Sequence, residues 1–288
     1  MSEYAIVAED LYYSYGDLIA VDHINFKVAR GEILGFLGPN GAGKTTTINM
    51  LTGQIKPKGG RAILLDMDIT ENVEKIKGDI GVCFETTNLY EQMTAIENLN
   101  LFARLFNIKS FDARTLLKRV GLEGREKNRV ETYSKGMKQR LMVARSIVNQ
   151  PEVLFLDEPT AGLDPTSSRA IHNIIMQERK RGATVFLTTH DMMEADKLSD
   201  RVAFMNQGRI VAMDTPLNLK QKYGKRALKA KVIMPGGKLE DREIALDTAD
   251  TPGSVKELFS NENVVTVHSK EATLEDIFIK ITGRGLVE

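Results

Sequence analysis

The feature that most constrains this fold is a glycine-rich loop at residues 38–45, Gly-Pro-Asn-Gly-Ala-Gly-Lys-Thr, which fits the phosphate-binding pattern GxxxxGK[ST]. An apolar run at 32–37 precedes the loop and predicts a buried strand, while residues 46–51 carry apolar side chains at helical spacing. The glycines allow a tight turn that aims backbone N–H groups inward, and the following helix adds the positive end of its dipole. The loop therefore predicts a site for the phosphates of a nucleoside triphosphate.

Side chains of the same loop suit that ligand. Lys44 has the length to reach the β- and γ-phosphates, and the hydroxyl of Thr45 is a ligand for Mg²⁺. The other predicted nucleotide contacts in this stretch are Gly38, Pro39, Asn40, Gly41, Ala42, Gly43 and Thr46.

Composition narrows the class of protein. A length of 288 residues allows one large domain with an appendage or two modest domains. The 39 basic and 39 acidic residues balance, which gives no support for a general nucleic-acid-binding surface. A single cysteine excludes an intramolecular disulfide and favours a reducing compartment. No stretch has the apolar length of a membrane span, so membrane work would need a second chain.

Two further apolar runs end in residues that suit phosphate chemistry. Residues 153–156 lead into Asp157 and Glu158, and residues 184–188 lead into Thr189 and His190. In an open parallel sheet, ligand groups collect beyond the carboxyl ends of the strands. Two carboxylates at such a depth need a cation nearby, and nucleotide-bound Mg²⁺ supplies one. The alternative, a cap at the start of a helix, explains the pair less well.

The predicted fold class is α/β, with a P-loop NTPase core in which a mixed sheet is flanked by helices. An antiparallel β subdomain precedes the loop at about 4–27, and periodic apolar residues predict a helical lobe at about 88–150. Residues 1–219 form the predicted ATPase domain, and residues 220–288 form a small α+β appendage. Basic residues at 220–231 favour a solvated surface, with an anionic membrane nearby as the alternative.

The order of these motifs resembles the nucleotide-binding subunit of ATP-binding cassette (ABC) transporters from residue 1 to about 219. The resemblance implies ATP as the nucleotide, and it implies that Tyr15, otherwise a plain strand aromatic, stacks on adenine. It further implies that Asp157 helps to hold Mg²⁺ through water, that Glu158 polarises the attacking water, and that His190 contacts the γ-phosphate. Residues 161–164, Ala-Gly-Leu-Asp, resemble a loop that crosses the interface of two such subunits, so Asp164 joins the expected nucleotide contacts.

Two positions depart from the usual motifs. Residues 133–137, Tyr-Ser-Lys-Gly-Met, stand where the family usually has Leu-Ser-Gly-Gly-Gln. Ser134 and Gly136 keep a hydroxyl and a close backbone approach for the γ-phosphate of the opposite subunit, before a helix predicted at 138–148. Glu85 stands where the family usually has a glutamine that contacts Mg²⁺ and the attacking water. We expect Glu85 still to sense Mg²⁺, with an altered metal or pH dependence.

The end of the chain bears on the subclass. Residues 272–278 with Thr282 and Gly283 resemble the tail of ATPase subunits from drug- and antibiotic-export ABC systems, whose permease is a separate chain. This implies a head-to-tail homodimer, or a dimer with a close paralogue, that is cytoplasmic and peripheral on the inner face of the membrane through the permease. Apolar side chains near Leu89 either receive a short permease helix or pack the junction between lobes. The side chains in question are Phe84, Leu89, Tyr90 and Met93.

Two rival functions fit the sequence less well. A soluble ABC ATPase acting on nucleic acid or ribosomes would need a long coiled-coil insertion or a second cassette, and neither pattern is present. No nucleic-acid partner is therefore expected. A non-hydrolysing regulatory binder is disfavoured because Lys44, Asp157, Glu158 and His190 are all retained.

Overall fold

The computed structural model describes residues 2–224, 227–246, 248–270 and 272–283. The chain divides into two compact units, Met1–Met213 and Asp214–Glu288. The strands of the first unit are β1 (Tyr4–Tyr15), β2 (Leu18–Ala29), β3 (Ile33–Leu37), β4 (Gly59–Leu64), β5 (Met67–Asp68), β6 (Ile80–Cys83), β7 (Val153–Asp157), β8 (Thr184–Thr189), β9 (Arg201–Asn206) and β10 (Arg209–Asp214). Its helices are α1 (Lys44–Leu51), α2 (Val73–Asp79), α3 (Ala95–Leu105), α4 (Ala113–Arg119), α5 (Lys135–Ser146), α6 (Pro165–Arg181) and α7 (Met192–Leu198).

A six-stranded sheet of order β10-β9-β3-β8-β7-β6 forms the centre of the first unit. The strands from β9 to β6 run parallel. Every residue of β3, β7 and β8 is buried, as expected for parallel strands that are covered on both faces. The predicted α/β class and P-loop core are confirmed.

The strands of a second sheet, of order β2-β1-β4-β5, pair antiparallel. Two of these strands, β1 and β2, come before the 38–45 loop in sequence, and β4 and β5 come after it. This is the antiparallel subdomain expected from the alternating residues near the start of the chain. The tip of its long β1–β2 hairpin lies beside the 38–45 loop, since residues on both sides of the turn line the same pocket as the loop.

Successive side chains of the central strands enter two different cores, because they point to opposite faces of the sheet. Leu154 and Leu156 of β7 pack with the helical lobe. Val153 and Phe155 pack instead with α1 and the antiparallel sheet. The parallel sheet is therefore held from both sides, and the loops at its carboxyl edge are anchored by buried strands.

The helical lobe consists of α3, α4 and α5. A capping box between Thr94 and Glu97 begins α3. The helix α5 begins at Lys135 rather than at residue 138 as predicted, because the Ser134 hydroxyl accepts a hydrogen bond from the Met137 N–H at 3.3 Å and caps the helix earlier.

The second unit begins a few residues before the boundary that the sequence suggested. It contains α8 (Pro216–Tyr223), β11 (Ala227–Ile233), β12 (Leu239–Ala245), α9 (Thr251–Asn261), β13 (Asn263–Lys270) and α10 (Leu274–Thr282). The strands form an antiparallel sheet of order β12-β11-β13, and Leu258 of α9 packs on Ala230 and Val232. Of the basic cluster at 220–231, Lys225 and Arg226 lie outside the described residues, while Lys229 and Lys231 are exposed. Among the described residues, no helix has both the length and the apolar character to cross a membrane.

Candidate active site

Four loops meet at the carboxyl edge of the parallel sheet because the strands that precede them are neighbours. The order β3-β8-β7-β6 sets residues 38–45 next to His190, then Glu158, then Glu85. These segments are far apart in sequence, and ligand groups are expected at this edge of an open parallel sheet.

The loop at 38–45 needs glycine at two positions for steric reasons. Gly43 has φ +105°, and a Cβ there would overlap the Ala20 carbonyl oxygen. A Cβ at Gly38 would overlap the Met205 carbonyl oxygen. Gly43 is also the N-cap of α1, where no side chain accepts a hydrogen bond from the first turn. The N–H groups at the start of α1 are therefore not consumed by a side-chain cap, which suits a bound anion.

The loop lines a pocket of about 320 Å³ together with Glu85, Glu158 and the β1–β2 hairpin. Tyr15 belongs to this lining and is about half exposed, with its ring edge-on to Tyr13 at 4.9 Å. Leu18 and Ile19 also line the pocket and are 70% and 48% exposed, and the sequence did not single them out. The sequence feature that could have identified them is an apolar pair directly after a turn, because the tip of a hairpin is normally polar.

Lys44 is buried, and its ammonium points back into the loop. Its Nζ donates hydrogen bonds to the carbonyl oxygens of Gly38 at 2.7 Å and Pro39 at 3.2 Å. It also lies 3.2 Å from Glu158 Oε1, close enough for an ion pair although without the alignment of a hydrogen bond. The lysine therefore links the loop to the end of β7.

Glu158 stands between two nitrogen groups in a strained backbone. Its Oε2 lies 2.7 Å from His190 Nδ1, opposite the contact with Lys44. Its φ is +48°, which is rare for a residue other than glycine. The Glu158 N–H donates to the Thr188 carbonyl oxygen at 3.1 Å, which helps to hold this conformation. Residues held in this way cluster at functional sites.

Asp157 is almost fully buried at the end of β7. Its Oδ1 accepts a hydrogen bond from the Thr188 hydroxyl at 2.5 Å, and its Oδ2 has no hydrogen-bond partner among the described residues. Burial raises the pKa of Asp157, while the hydrogen bond from the Thr188 hydroxyl and the nearby Thr45 hydroxyl lower it. No helix begins at Asp157 or Glu158, since α6 starts at Pro165. The helix-cap alternative therefore does not describe this pair.

Glu85 is exposed and lines the pocket directly after β6. In the described part of the chain, no three histidine, cysteine, aspartate or glutamate side chains cluster in the manner of an all-protein metal site.

The remaining predicted residues form a second group, outside that pocket. Ser134 caps α5, while Asp164 caps α6 by accepting from the N–H groups of Thr166 and Ser167. Gly136 packs against Ser167 so closely that a Cβ would overlap its hydroxyl. Ser134, Gly136 and Asp164 thus mark two adjacent helix N-termini, and none of them lines the pocket of the loop.

The fold and the loop together define a P-loop nucleoside triphosphatase. A sequence profile of the family described as ABC transporter matches residues 21–161. The chain is 47% identical to the fluoroquinolones export ATP-binding protein of Mycobacterium tuberculosis, over 93% of this chain and 89% of that protein. It is 35% identical to the bacitracin transport ATP-binding protein BcrA of Bacillus licheniformis, over 98% of both chains.

Solved structures agree with these relatives. An ATP-binding subunit of an ABC transporter superposes with a TM-score of 0.71 at 29% identity, covering 76% of this chain and 93% of that one. An ATP-binding cassette in a dimeric post-hydrolysis state bound to ADP and Pi superposes with a TM-score of 0.67 at 26% identity, covering 73% and 98%. The chain belongs to the ABC transporter family, as an ATP-binding subunit that hydrolyses ATP.

Proposed function

We propose that this chain drives export of a drug or antibiotic by a separate membrane permease, and that two copies bind ATP head to tail. The cargo class rests on the relatives, which are named for fluoroquinolone export and bacitracin transport. The same names disfavour the rival hypothesis of an ATPase acting on nucleic acid or ribosomes.

The observation that carries the assignment of hydrolysis is the position of Glu158 between Lys44 and His190. With ATP in the loop, Lys44 turns to the β- and γ-phosphates, and Tyr15 with Leu18 and Ile19 contacts the base. Glu158 then accepts a proton from the water that attacks the γ-phosphorus, and ADP leaves in line. His190 contacts a γ-phosphate oxygen and holds Glu158 in place.

The residues present fit a hydrated Mg²⁺ ion. Asp157 Oδ2 is a buried oxygen without a partner among the described residues, and the Thr45 hydroxyl lies close enough to lower the pKa of that carboxyl. Both are hard oxygen ligands of the kind that Mg²⁺ prefers, and nucleotide phosphates and water would complete the shell. Bound Mg²⁺ would neutralise charge that develops on the β- and γ-oxygens. Glu85, from the neighbouring strand, would face the same ion.

A second subunit supplies what the pocket lacks in this proposal. Ser134, Gly136 and Asp164 sit together at two helix N-termini outside the pocket of their own chain. Exposed helix N-termini favour anions, so this face suits the γ-phosphate bound by another copy. Two copies related by a two-fold axis would complete two sites at once.

In this proposal the permease docks in a groove of about 600 Å³ next to the helical lobe. Phe84, Tyr90, Phe102 and Phe106 line it, and Tyr90 is 51% exposed. Leu89 is buried in the core instead. We therefore assign Tyr90 and Phe84 to docking and Leu89 to packing, and place the chain at the membrane through this contact.

Steady-state ATP hydrolysis tests the assignment. We expect Glu158→Gln to lower kcat by about a hundredfold or more, because it removes the general base. Glu152→Gln is the matched control, since this exposed carboxylate lies at the other end of β7 and pairs with Arg30. Wild-type turnover in Glu158→Gln would refute the assignment of Glu158.

A further inference from the structure

A buried carboxylate outside the pocket connects the segment after Glu158 to the helix after His190. Glu194 lies on α7 and is 3% exposed. Its Oε1 accepts a hydrogen bond from the Thr160 hydroxyl at 2.7 Å. The same oxygen lies 2.7 Å from His172 Nε2.

Glu194, Thr160 and His172 form a cluster, and each of them belongs to a different segment of the chain near the site. Thr160 lies two residues after Glu158, in the loop that ends at Asp164. His172 lies on α6, which begins directly after Asp164. Glu194 follows His190 by four residues and its backbone is capped by Asp191. Glu194 Oε1 therefore connects three segments: the 158–164 loop, α6 and α7.

A purely structural role explains this cluster poorly. Both donors converge on Oε1, which requires a hydrogen on His172 Nε2, while Glu194 Oε2 is buried with no partner among the described residues. A buried carboxylate oxygen without a donor costs free energy. Glu178 on α6 shows the better-satisfied case, because one oxygen meets Arg119 at 2.5 Å and the other meets Arg181 at 2.8 Å.

We infer that Glu194 is a positioning residue for ATP hydrolysis, which fixes the 158–164 loop and His190 in one relative arrangement. The inference rests on the proposed roles of Glu158 and His190. Through Thr160 the carboxylate restrains the backbone next to Glu158, and through α7 it restrains His190. A displacement of residues 161–164 would therefore also shift Glu158 relative to His190. In this way the position of the 158–164 loop controls the alignment of the attacking water.

Kinetics of small substitutions in this cluster test the inference. Thr160→Val keeps the shape of the side chain and removes the donor to Glu194. We expect kcat to fall about tenfold while the dissociation constant for ATP stays within about twofold, because misalignment acts on the reacting groups and not on the phosphate loop. His172→Leu should act in the same way. His172→Gln offers an amide N–H near the position of Nε2 and should restore kcat to within about threefold of wild type.

Glu178→Gln is the matched control for loss of a buried, bonded carboxylate. It should lower the melting temperature and leave kcat unchanged. Wild-type kcat in Thr160→Val, or a loss in His172→Gln as large as in His172→Leu, would overturn the inference. So would an equal loss of kcat in Glu178→Gln, since kcat would then follow stability alone. Glu158→Gln in the same assay separates the two proposals: if it retains turnover, the assigned site itself is wrong, whatever Thr160→Val does.

Discussion

At the residue scale, the site is built from buried charges that the fold holds at a cost. Glu158 combines a φ of +48° with burial and contacts to both Lys44 and His190. Asp157, its neighbour, is buried with one oxygen unsatisfied among the described residues. Such costs are of the order of 1–3 kcal/mol per strained residue and are retained where they serve a function.

Asp157→Asn tests whether that buried charge is a cost. Burial raises the pKa of Asp157 in the folded chain, so the folded chain keeps this proton to a higher pH than the unfolded chain does. The free energy of unfolding therefore falls as the pH rises from the unfolded pKa, about 3.9, through the raised folded pKa, and the loss persists above it. Asparagine can still accept from Thr188 and carries no charge.

We expect Asp157→Asn to melt higher than wild type at neutral pH without nucleotide or metal, by about 2–4 °C for each kcal/mol recovered, while ATP hydrolysis is lost. Differential scanning calorimetry and an ATPase assay measure the two effects. An unchanged or lower melting temperature would show that Asp157 is not destabilising.

Glu85→Gln tests the departure from the usual motif. The carboxylate offers Mg²⁺ a charged oxygen, and the amide offers a neutral one. We expect the variant to need more Mg²⁺ for half-maximal ATPase activity, measured at fixed ATP. Identical Mg²⁺ titrations for the two proteins would mean that Glu85 does not sense the metal.

At the element scale, the site exists because β3, β8, β7 and β6 are neighbours. The sequence predicted β3, β7 and β8, since each is a short apolar run that leads into residues suited to phosphate chemistry. It could not predict their order, which depends on pairing between residues far apart in the chain. The pairing of Asp157 with Thr188 across β7 and β8 is one such contact, and no local pattern encodes it.

The start of α5 shows a second limit of the sequence. The apolar pattern placed the helix at 138–148, whereas a single hydrogen bond from the Met137 N–H to Ser134 begins it at Lys135. Leu18 and Ile19 were missed for a related reason: their exposure in the pocket depends on where the hairpin tip lies in space. Local patterns thus predicted the elements, and long-range packing decided how they form the site.

Gly43→Ala tests the steric demand at the junction of the loop and α1. A Cβ would meet both an unfavourable φ of +105° and the Ala20 carbonyl oxygen. We expect loss of ATP binding and a fall in stability of about 2 kcal/mol or more. Gly182→Ala is the matched control, since Gly182 has φ +101° but a Cβ there would meet no atom within 4 Å, so this substitution should cost only about 1 kcal/mol. Equal destabilisation by both, with ATP binding intact, would contradict this account.

At the scale of the whole molecule, we propose that one chain carries two separate halves of a site that two copies share. The 38–45 loop and Glu158 line one pocket, whereas Ser134 and Gly136 lie elsewhere on the first unit. A groove beside the helical lobe is a third surface, which we assign to the permease.

Tyr90→Glu tests the docking groove. Tyr90 is half exposed and its backbone N–H bonds to the Asn98 side chain at 3.0 Å, a contact that the substitution leaves intact. We expect the variant to lose co-purification with its permease while its melting temperature and basal ATPase activity stay unchanged. Leu89→Ala is the contrasting variant, because it should lower the melting temperature by creating a cavity. A lowered melting temperature in Tyr90→Glu would assign this side chain to packing instead.

The most direct test of the shared site is the mass of Glu158→Gln in solution with ATP and Mg²⁺, measured by light scattering after gel filtration. Slowed hydrolysis should trap a dimer of twice the mass of one chain, and adding Ser134→Arg should return it to a monomer because the second half of each site is blocked. A monomer with ATP, or a dimer that Ser134→Arg leaves intact, would contradict a nucleotide shared between Gly38–Thr45 of one copy and Ser134 of the other.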